Sequence, residues 1–192
     1  EAILVNVELA RAISSVCKKL SIPLVHISTD HLFDGSKKLL NEQSSISPVN
    51  TYGLTKASGE AAVLETNSDA LILRTNFFGW GPSYRTTFSD WIISNLRSAQ
   101  PITLYENVFF TPIYVNELVE SALRLYRAGK SGIYNISSSN RLSKYDFGIL
   151  IAERFDLDVS LINKGKYSKL EKIQRPLDMS LDNNKLLTDI KI

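Results

Sequence analysis

The sequence predicts an α/β fold, a partial doubly wound parallel sheet with a smaller, discontinuous C-terminal region at one end of its strands. Three observations carry the prediction. Helical and strand patterns alternate through the first 75 residues. The strand candidates LVHIS (24–28) and ALILRT (70–75) are short apolar runs, the pattern of strands buried in a parallel sheet. After Thr75 the chain becomes aromatic and turn-rich in NFFGWGPSYRTT, which breaks that alternation. A helix–strand–helix–strand order implies right-handed crossovers in one sheet.

The elements follow in order. Ile3, Leu4, Val7, Ala10, Ile13 and Val16 have helical spacing, so a helix runs from the first turn to about Leu20. Pro23 leads into the first strand, and a loop rich in Gly, Ser, Asn and Pro follows it. A helix is expected over 51–66, then the second strand. FSDWIISNLRSA reads as an amphipathic helix, PITLYENVFF as one strand, and TPIYVNELVESALRLYRAG as a helix with Pro112 near its start. GIYNIS (132–137) is a strand, and SKYDFGILIAERFDL a helix with Ser143 as N-cap. The last forty residues read as polar and irregular. Residues 1–75 and 111–137 are thus assigned to the sheet domain, and 76–110 and 138–192 to the smaller region.

Bulk properties exclude several functions. A chain of 192 residues with 44% hydrophobic and 22% charged residues is an ordinary globular domain. A net charge of +2 is too small to argue for nucleic acid, and the GKYSKLEK run at 165–172 reads as a solvated face. One cysteine, Cys17, gives no disulfide framework and favours a reducing, cytoplasmic setting. No apolar run approaches the length of a membrane span. No metal site is expected: His26 and His31 are joined by no cysteine or carboxylate cluster.

Candidate chemistry begins where the first strand ends, at Ser28, Thr29 and Asp30. Ligands of open α/β sheets bind outside the carboxyl ends of the strands, although these residue types also favour plain turns. Tyr52 and Lys56 share one helix face at i and i+4. A nearby cation favours phenolate and draws a tyrosine pKa down from about 10, which suits proton transfer at a carbonyl or alcohol. Gly53, Ala57, Ser58 and Gly59 allow backbone or ligand to approach that helix closely. A second Tyr-x-x-x-Lys, Tyr126 and Lys130, is interrupted by Gly129 and reads as surface.

HISTDHLFDG, then SPVNTYGLTKASGE, then LILRTNFFGWG resembles the extended short-chain dehydrogenase/reductase superfamily, and within it the dTDP-4-dehydrorhamnose reductase family. TPIYVNELVESAL, GIYNIS and RPLDMSLDNNKL extend the resemblance over nearly the whole chain. It implies a Rossmann-like sheet and NAD(P)H-dependent reduction of a nucleotide-activated 4-keto-deoxysugar. By the same resemblance Thr29 binds the reacting oxygen, Tyr52 is the acid/base, and Lys56 tunes Tyr52 and holds the nicotinamide ribose. Ser28 and Arg74 join Tyr52 and Lys56 on the cofactor side, NADP or NAD. Asp30, Thr75, Asn76, Phe77 and Arg175 fall on the substrate side, and Asn6 matches a helix asparagine of the superfamily. Related proteins often pair through the helix bearing the tyrosine, so a homodimer is among the implied partners.

The sequence departs from the family at His31, where tyrosine is usual; packing of the loop is favoured there over ligand contact. YENVFFTPI replaces the usual Asp-Gln-x-x-x-Pro-Thr, and Phe77, Phe78 and Trp80 suit base stacking and core packing equally. No G-x-G-x-x-G or G-x-x-G-x-x-G occurs, and the chain opens mid-helix without a start signal. Both features lead to the expectation of a C-terminal portion, inactive alone and weak in cofactor binding, with an exposed apolar sheet edge. The alternative is a non-catalytic, nucleotide-binding regulatory member. SGIYNIS and LSKYDFGILIAERF resemble the regulatory subunit of methionine adenosyltransferase. An epimerase or dehydratase is a third option, without a convincing extra acid/base pair.

Overall fold

A computed structural model describes residues 1–168 and 174–190. A π-helical stretch, Leu4–Leu9, runs into α1 (Ala10–Lys19). Then come β1 (Val25–Ile27), α2 (Thr51–Thr66) and β2 (Leu71–Thr75). β3 (Phe77–Phe78), α3 (Phe88–Arg97), β4 (Ile102–Tyr105), β5 (Phe109–Phe110) and β6 (Ile113–Tyr114) follow. The chain continues through α4 (Val115–Arg127), β7 (Gly132–Ile136), β8 (Leu142–Ser143) and α5 (Lys144–Arg154). β9 (Ile162–Gly165) and α6 (Asn184–Ile190) complete it.

The main sheet is parallel, in the order β1–β2–β7, with His26 opposite Ile72 and Leu73 opposite Tyr134. β2 is central and wholly buried, which explains its unbroken apolar run. Ala10 and Val63 pack with Ala70 and Ile72 on one face. Leu118 and Leu125 of α4 pack with Leu71, Leu73 and Tyr134 on the other. β1 is the edge strand, and its Val25 and Ile27 are exposed. A separate core, holding Ile92, Leu104, Phe110, Phe147, Ile162 and Met179, unites α3, β4, α5 and β9. No helix among the described residues is long and apolar enough to cross a membrane.

The chain differs from its sequence reading where long-range pairing decides. β9 and α6 fall within the stretch expected to be irregular. β9 exists because β4 pairs it in parallel, Ile102 opposite Ile162, and α6 because Leu186 is buried among residues of β2, β7 and α4. Leu186 thereby returns part of 138–192 to the main sheet. The single strand expected over 101–110 is divided by a turn at Glu106 and Asn107, where the Asn107 side chain bonds both backbone groups of Tyr167. Residues 113–114 form β6 beside β3, so α4 begins later than expected. Residues 169–172 of the run read as a solvated face lie outside the described residues.

Local signals place the helices. Asn50 caps α2, its Oδ1 accepting from Gly53 N–H at 2.9 Å. Ser143 and Asp146 form a reciprocal capping box at α5. Gly129, at φ +64°, follows α4 between Tyr126 and Lys130.

The small residues of α2 are needed for contact. A Cβ on Gly53 would lie 2.2 Å from the His31 carbonyl oxygen, and one on Gly59 2.2 Å from that of Asn6. Both neighbours are backbone and cannot swing aside. Gly59→Ala is therefore expected to destabilise the fold by about 1–3 kcal/mol through overpacking. The exposed neighbour substitution Ser58→Ala is expected to stay within about 0.5 kcal/mol of the parent. Thermal melts of the two variants check the contrast.

Candidate functional site

The carboxyl ends of β1, β2 and β7 lie side by side, the position at which ligands meet open α/β sheets. Ser28 prolongs the β1 ladder, its N–H donating to the Leu73 carbonyl at 2.7 Å. Thr29 is buried, its hydroxyl donating to Asp30 Oδ1 and accepting from the His31 N–H, both at 3.2 Å. Asp30 Oδ2 accepts from Asn76 Nδ2 at 2.6 Å and so ties the end of β1 to the residue after β2. Ser28 Oγ and Thr75 Oγ1 are buried without a hydrogen-bond partner among the described residues. Buried polar atoms are nearly always satisfied, so these two hydroxyls at adjacent strand ends are free to bond a polar ligand.

α2 brings the second pair to this corner. Lys56 Nζ donates to the Ile27 carbonyl at 2.7 Å, which pins the helix to the end of β1. Burial pushes the Lys56 pKa down from its ordinary value, and Glu60 partly opposes that. Tyr52, one turn earlier, is half exposed, with the His31 ring edge-on at 5.6 Å. Asn6 donates to Thr55 Oγ1 at 3.0 Å and steadies the same turn. Tyr52, His31, Asn50, Gln174 and Arg175 line a cavity of about 690 Å³. The backbone amide of Arg175 donates to the Tyr167 hydroxyl at 2.9 Å. At the second Tyr-x-x-x-Lys, Tyr126 is exposed and Lys130 pairs with Asp189 at 3.0 Å.

Thr29, Asp30, Tyr52, Lys56, Asn76 and Arg175 are thus gathered around the strand ends, with Ser28 and Thr75 beneath them. Arg74 is placed otherwise. Sequence reasoning gave it to the cofactor; instead its buried guanidinium grips Glu60, with Nε–Oε1 3.0 Å and Nη2–Oε2 2.7 Å. It also reaches the Glu42 carbonyl and stands 5.8 Å from the Phe33 ring centroid. Phe77 is exposed on β3. Phe78 packs against Tyr114 and Phe147, whereas Trp80 meets Phe155 beside a second cavity of about 740 Å³.

Sequence reasoning missed Lys144, the first residue of α5. Its Nζ lies 3.2 Å from the Phe110 ring centroid and 5.0 Å from that of Phe88. Burial pushes its pKa down to about 8, Arg175 adds to that, and Asp30 opposes it. His31 is also lowered, first by burial, with Asp30 opposing and Lys144 and Arg175 contributing. These four groups form one electrostatic neighbourhood. One signal was available: a lysine in the first turn of a helix opposes the macrodipole, so its position needs another cause.

The residues present fit the nicotinamide-ribose end of a dinucleotide: a buried orphan hydroxyl at Ser28, a pinned cation at Lys56 and the Tyr52 phenol. A glycine-rich pyrophosphate turn does not occur in these 192 residues. Among the described residues no group of three or more His, Cys, Asp or Glu side chains could hold a metal ion.

Comparison with known proteins bears on the same site. The profile of the RmlD substrate binding domain matches residues 1–192. The chain is 32% identical over 176 residues to a probable low-salt glycan biosynthesis reductase, Agl14, of Haloferax volcanii, covering 88% of this chain and 58% of the relative. It is 33% identical over 147 residues to a dTDP-4-keto-6-deoxy-D-glucose reductase of Streptomyces niveus, covering 76% and 50%. It is also 30% identical over 176 residues to methionine adenosyltransferase 2 subunit beta of Rattus norvegicus, covering 86% and 52%. The chain therefore spans little more than half the length of these relatives. A hypothetical dTDP-4-dehydrorhamnose reductase from Sulfolobus tokodaii superposes with TM-score 0.85 at 28% identity, over 97% of this chain and 65% of that one. A dTDP-4-dehydrorhamnose reductase of Bacillus anthracis, solved with NADP, has the same fold at TM-score 0.87 and 24% identity, over 95% and 65%.

Proposed function

The chain belongs to the family of the RmlD substrate binding domain, and from that premise we propose that it carries the proton-transfer and substrate-binding part of an NAD(P)H-dependent reductase. The substrate class is a nucleotide-activated 4-keto-deoxysugar. The observation that carries this reading is the convergence of the Thr29 hydroxyl, Tyr52 and Lys56 on one corner of the sheet, beside an open cavity. The reductase names of the Streptomyces and Sulfolobus relatives support it.

In this mechanism Tyr52 hands its phenolic proton to the carbonyl oxygen of the substrate, a step typically worth about 10²–10⁴ in rate. The Thr29 hydroxyl gives up its long 3.2 Å bond to Asp30 and donates to the same oxygen. Asp30 keeps Asn76 in place, so the floor of the site does not move when Thr29 turns. Lys56 spends one N–H on the Ile27 carbonyl and has two left, enough for the nicotinamide ribose and the vicinity of the phenol. Ser28 would bind on the same side. A reduced nicotinamide, when bound, supplies the hydride to the carbonyl carbon. Thr75, Asn76, Phe77 and Arg175 take the substrate side. A cytoplasmic location and a homodimer paired through α2 belong to the same proposal.

A second reading, a regulatory nucleotide-binding protein, is favoured by the likeness to methionine adenosyltransferase 2 subunit beta. Turnover separates the two. NADPH and NADH oxidation is followed with a panel of nucleotide 4-keto-deoxysugars and the full-length protein. Turnover with at least one of them is expected, falling about 100-fold or more in Thr29→Val. Nucleotide binding without turnover on the whole panel would transfer the assignment to the regulatory reading.

A further inference from the structure

We propose that Lys144 is a substrate-binding residue: together with Arg175 it seats the diphosphate group of the nucleotide sugar beside the Tyr52 cavity. The inference rests on the reductase reading for the identity of its ligand; the seat itself rests on β5, whose Phe109 pairs with Ser143, the residue before Lys144, and donates its N–H to the Leu177 carbonyl at 2.7 Å, two residues from Arg175. Its starting point is a cation without a counter-ion among the described residues. Among the described residues the Lys144 ammonium makes no hydrogen bond and no ion pair; its contacts are the faces of Phe110 and Phe88. Aromatic faces attract and orient an ammonium but do not neutralise it. Charges removed from water are normally paired, because desolvation is costly.

Arg175 adds a second available cation, exposed to solvent. Its backbone amide is bonded to Tyr167, yet its guanidinium has no partner among the described residues. Asp30, the carboxylate whose field reaches Lys144, already accepts from Asn76 and Thr29. Among the described residues neither Lys144 nor Arg175 has an ion-pair partner, and Arg175 lines the cavity with Tyr52. Two unpaired cations on opposite elements, α5 and the segment after residue 173, suit a ligand with several acceptor oxygens and more than one charge. A diphosphate has that chemistry and would draw both side chains towards it.

The test is calorimetric titration of the full-length protein and of Lys144→Met and Lys144→Arg with four probes: thymidine diphosphate, inorganic pyrophosphate, thymidine and NADPH. Lys144→Met is expected to weaken thymidine diphosphate and pyrophosphate about 10-fold or more, leaving thymidine and NADPH within twofold. Lys144→Arg is expected to restore most of the loss. The charged and titratable groups facing Lys144 are Asp30 and Arg175, with His31 beside them and Asp146 on its own turn. Deprotonation of Lys144 removes the attraction, so affinity for thymidine diphosphate should fall as pH rises through about 8, and this dependence should flatten in Lys144→Met. Unchanged diphosphate affinity in Lys144→Met overturns the proposal. So does an equal loss for thymidine with a lowered melting temperature, which marks a packing role. Failure of the parent protein to bind either of the two, pyrophosphate and thymidine diphosphate alike, overturns it as well. Lys144-dependent binding of pyrophosphate without binding of thymidine diphosphate or turnover would keep the seat and reject the nucleotide-sugar reading.

Discussion

Replacing Tyr52 by phenylalanine is expected to lower kcat/KM for carbonyl reduction about 10²–10⁴-fold, which corresponds to about 3–5 kcal/mol of transition-state stabilisation. The substitution removes one hydroxyl and little else. Tyr52 is half exposed, so no core cavity opens, and the phenyl ring retains its edge contact with His31. Asn50 still caps α2, and Lys56 still anchors it to Ile27. Stability should accordingly stay within about 0.5 kcal/mol of the parent, as for other exposed changes. The loss should fall on kcat with KM little altered, because the proton is transferred only as the barrier is crossed. Steady-state rates on the best substrate of the panel, with a melting curve for each protein, measure both quantities. A variant that keeps more than half of its activity would remove Tyr52 from the chemistry and direct attention to His31.

What the sequence disclosed and what it hid divide along one physical line. Features written in neighbouring residues were legible. The start of α5 follows from Ser143, and the shared face of Tyr52 and Lys56 from helical periodicity alone. The close packing at Gly53 and Gly59 was announced by small residues in an otherwise ordinary helix, although the partners, the His31 and Asn6 carbonyls, were not. The two aromatic readings after Asn76 were inseparable by type; Phe78 enters the second core, while Trp80 remains largely exposed beside a cavity. Features requiring a distant partner were hidden. β9 depends on β4, some sixty residues earlier, and no local pattern records that pairing. Lys144 meets the Phe110 ring only because α5 starts where the polypeptide returns from β8, next to the backbone of Val108.

Arg74 is the clearest case of a hidden role, and it yields the second large effect. Arg74→Met is expected to destabilise the protein by about 3–5 kcal/mol, because it strands the Glu60 carboxylate in a site where both side chains are almost fully buried. For a chain of this size each kcal/mol moves the melting temperature by about 2–4 °C, so a fall of roughly 6–20 °C should be seen. The pair lies between α2 and β2, joining the helix that bears Tyr52 and Lys56 to the central strand. Removing both charges in Arg74→Met/Glu60→Leu should recover much of the loss, since a buried ion pair is often replaceable by apolar side chains of similar volume. Cofactor contact predicts a different pattern: a raised KM for NADPH at an unchanged melting temperature, with no rescue by the second substitution. A single variant that melts within 2 °C of the parent and binds NADPH less tightly would return Arg74 to the cofactor. A large fall in melting temperature, reversed in the double variant, assigns Arg74 to fixing α2, the helix that carries Tyr52 and Lys56, against β2.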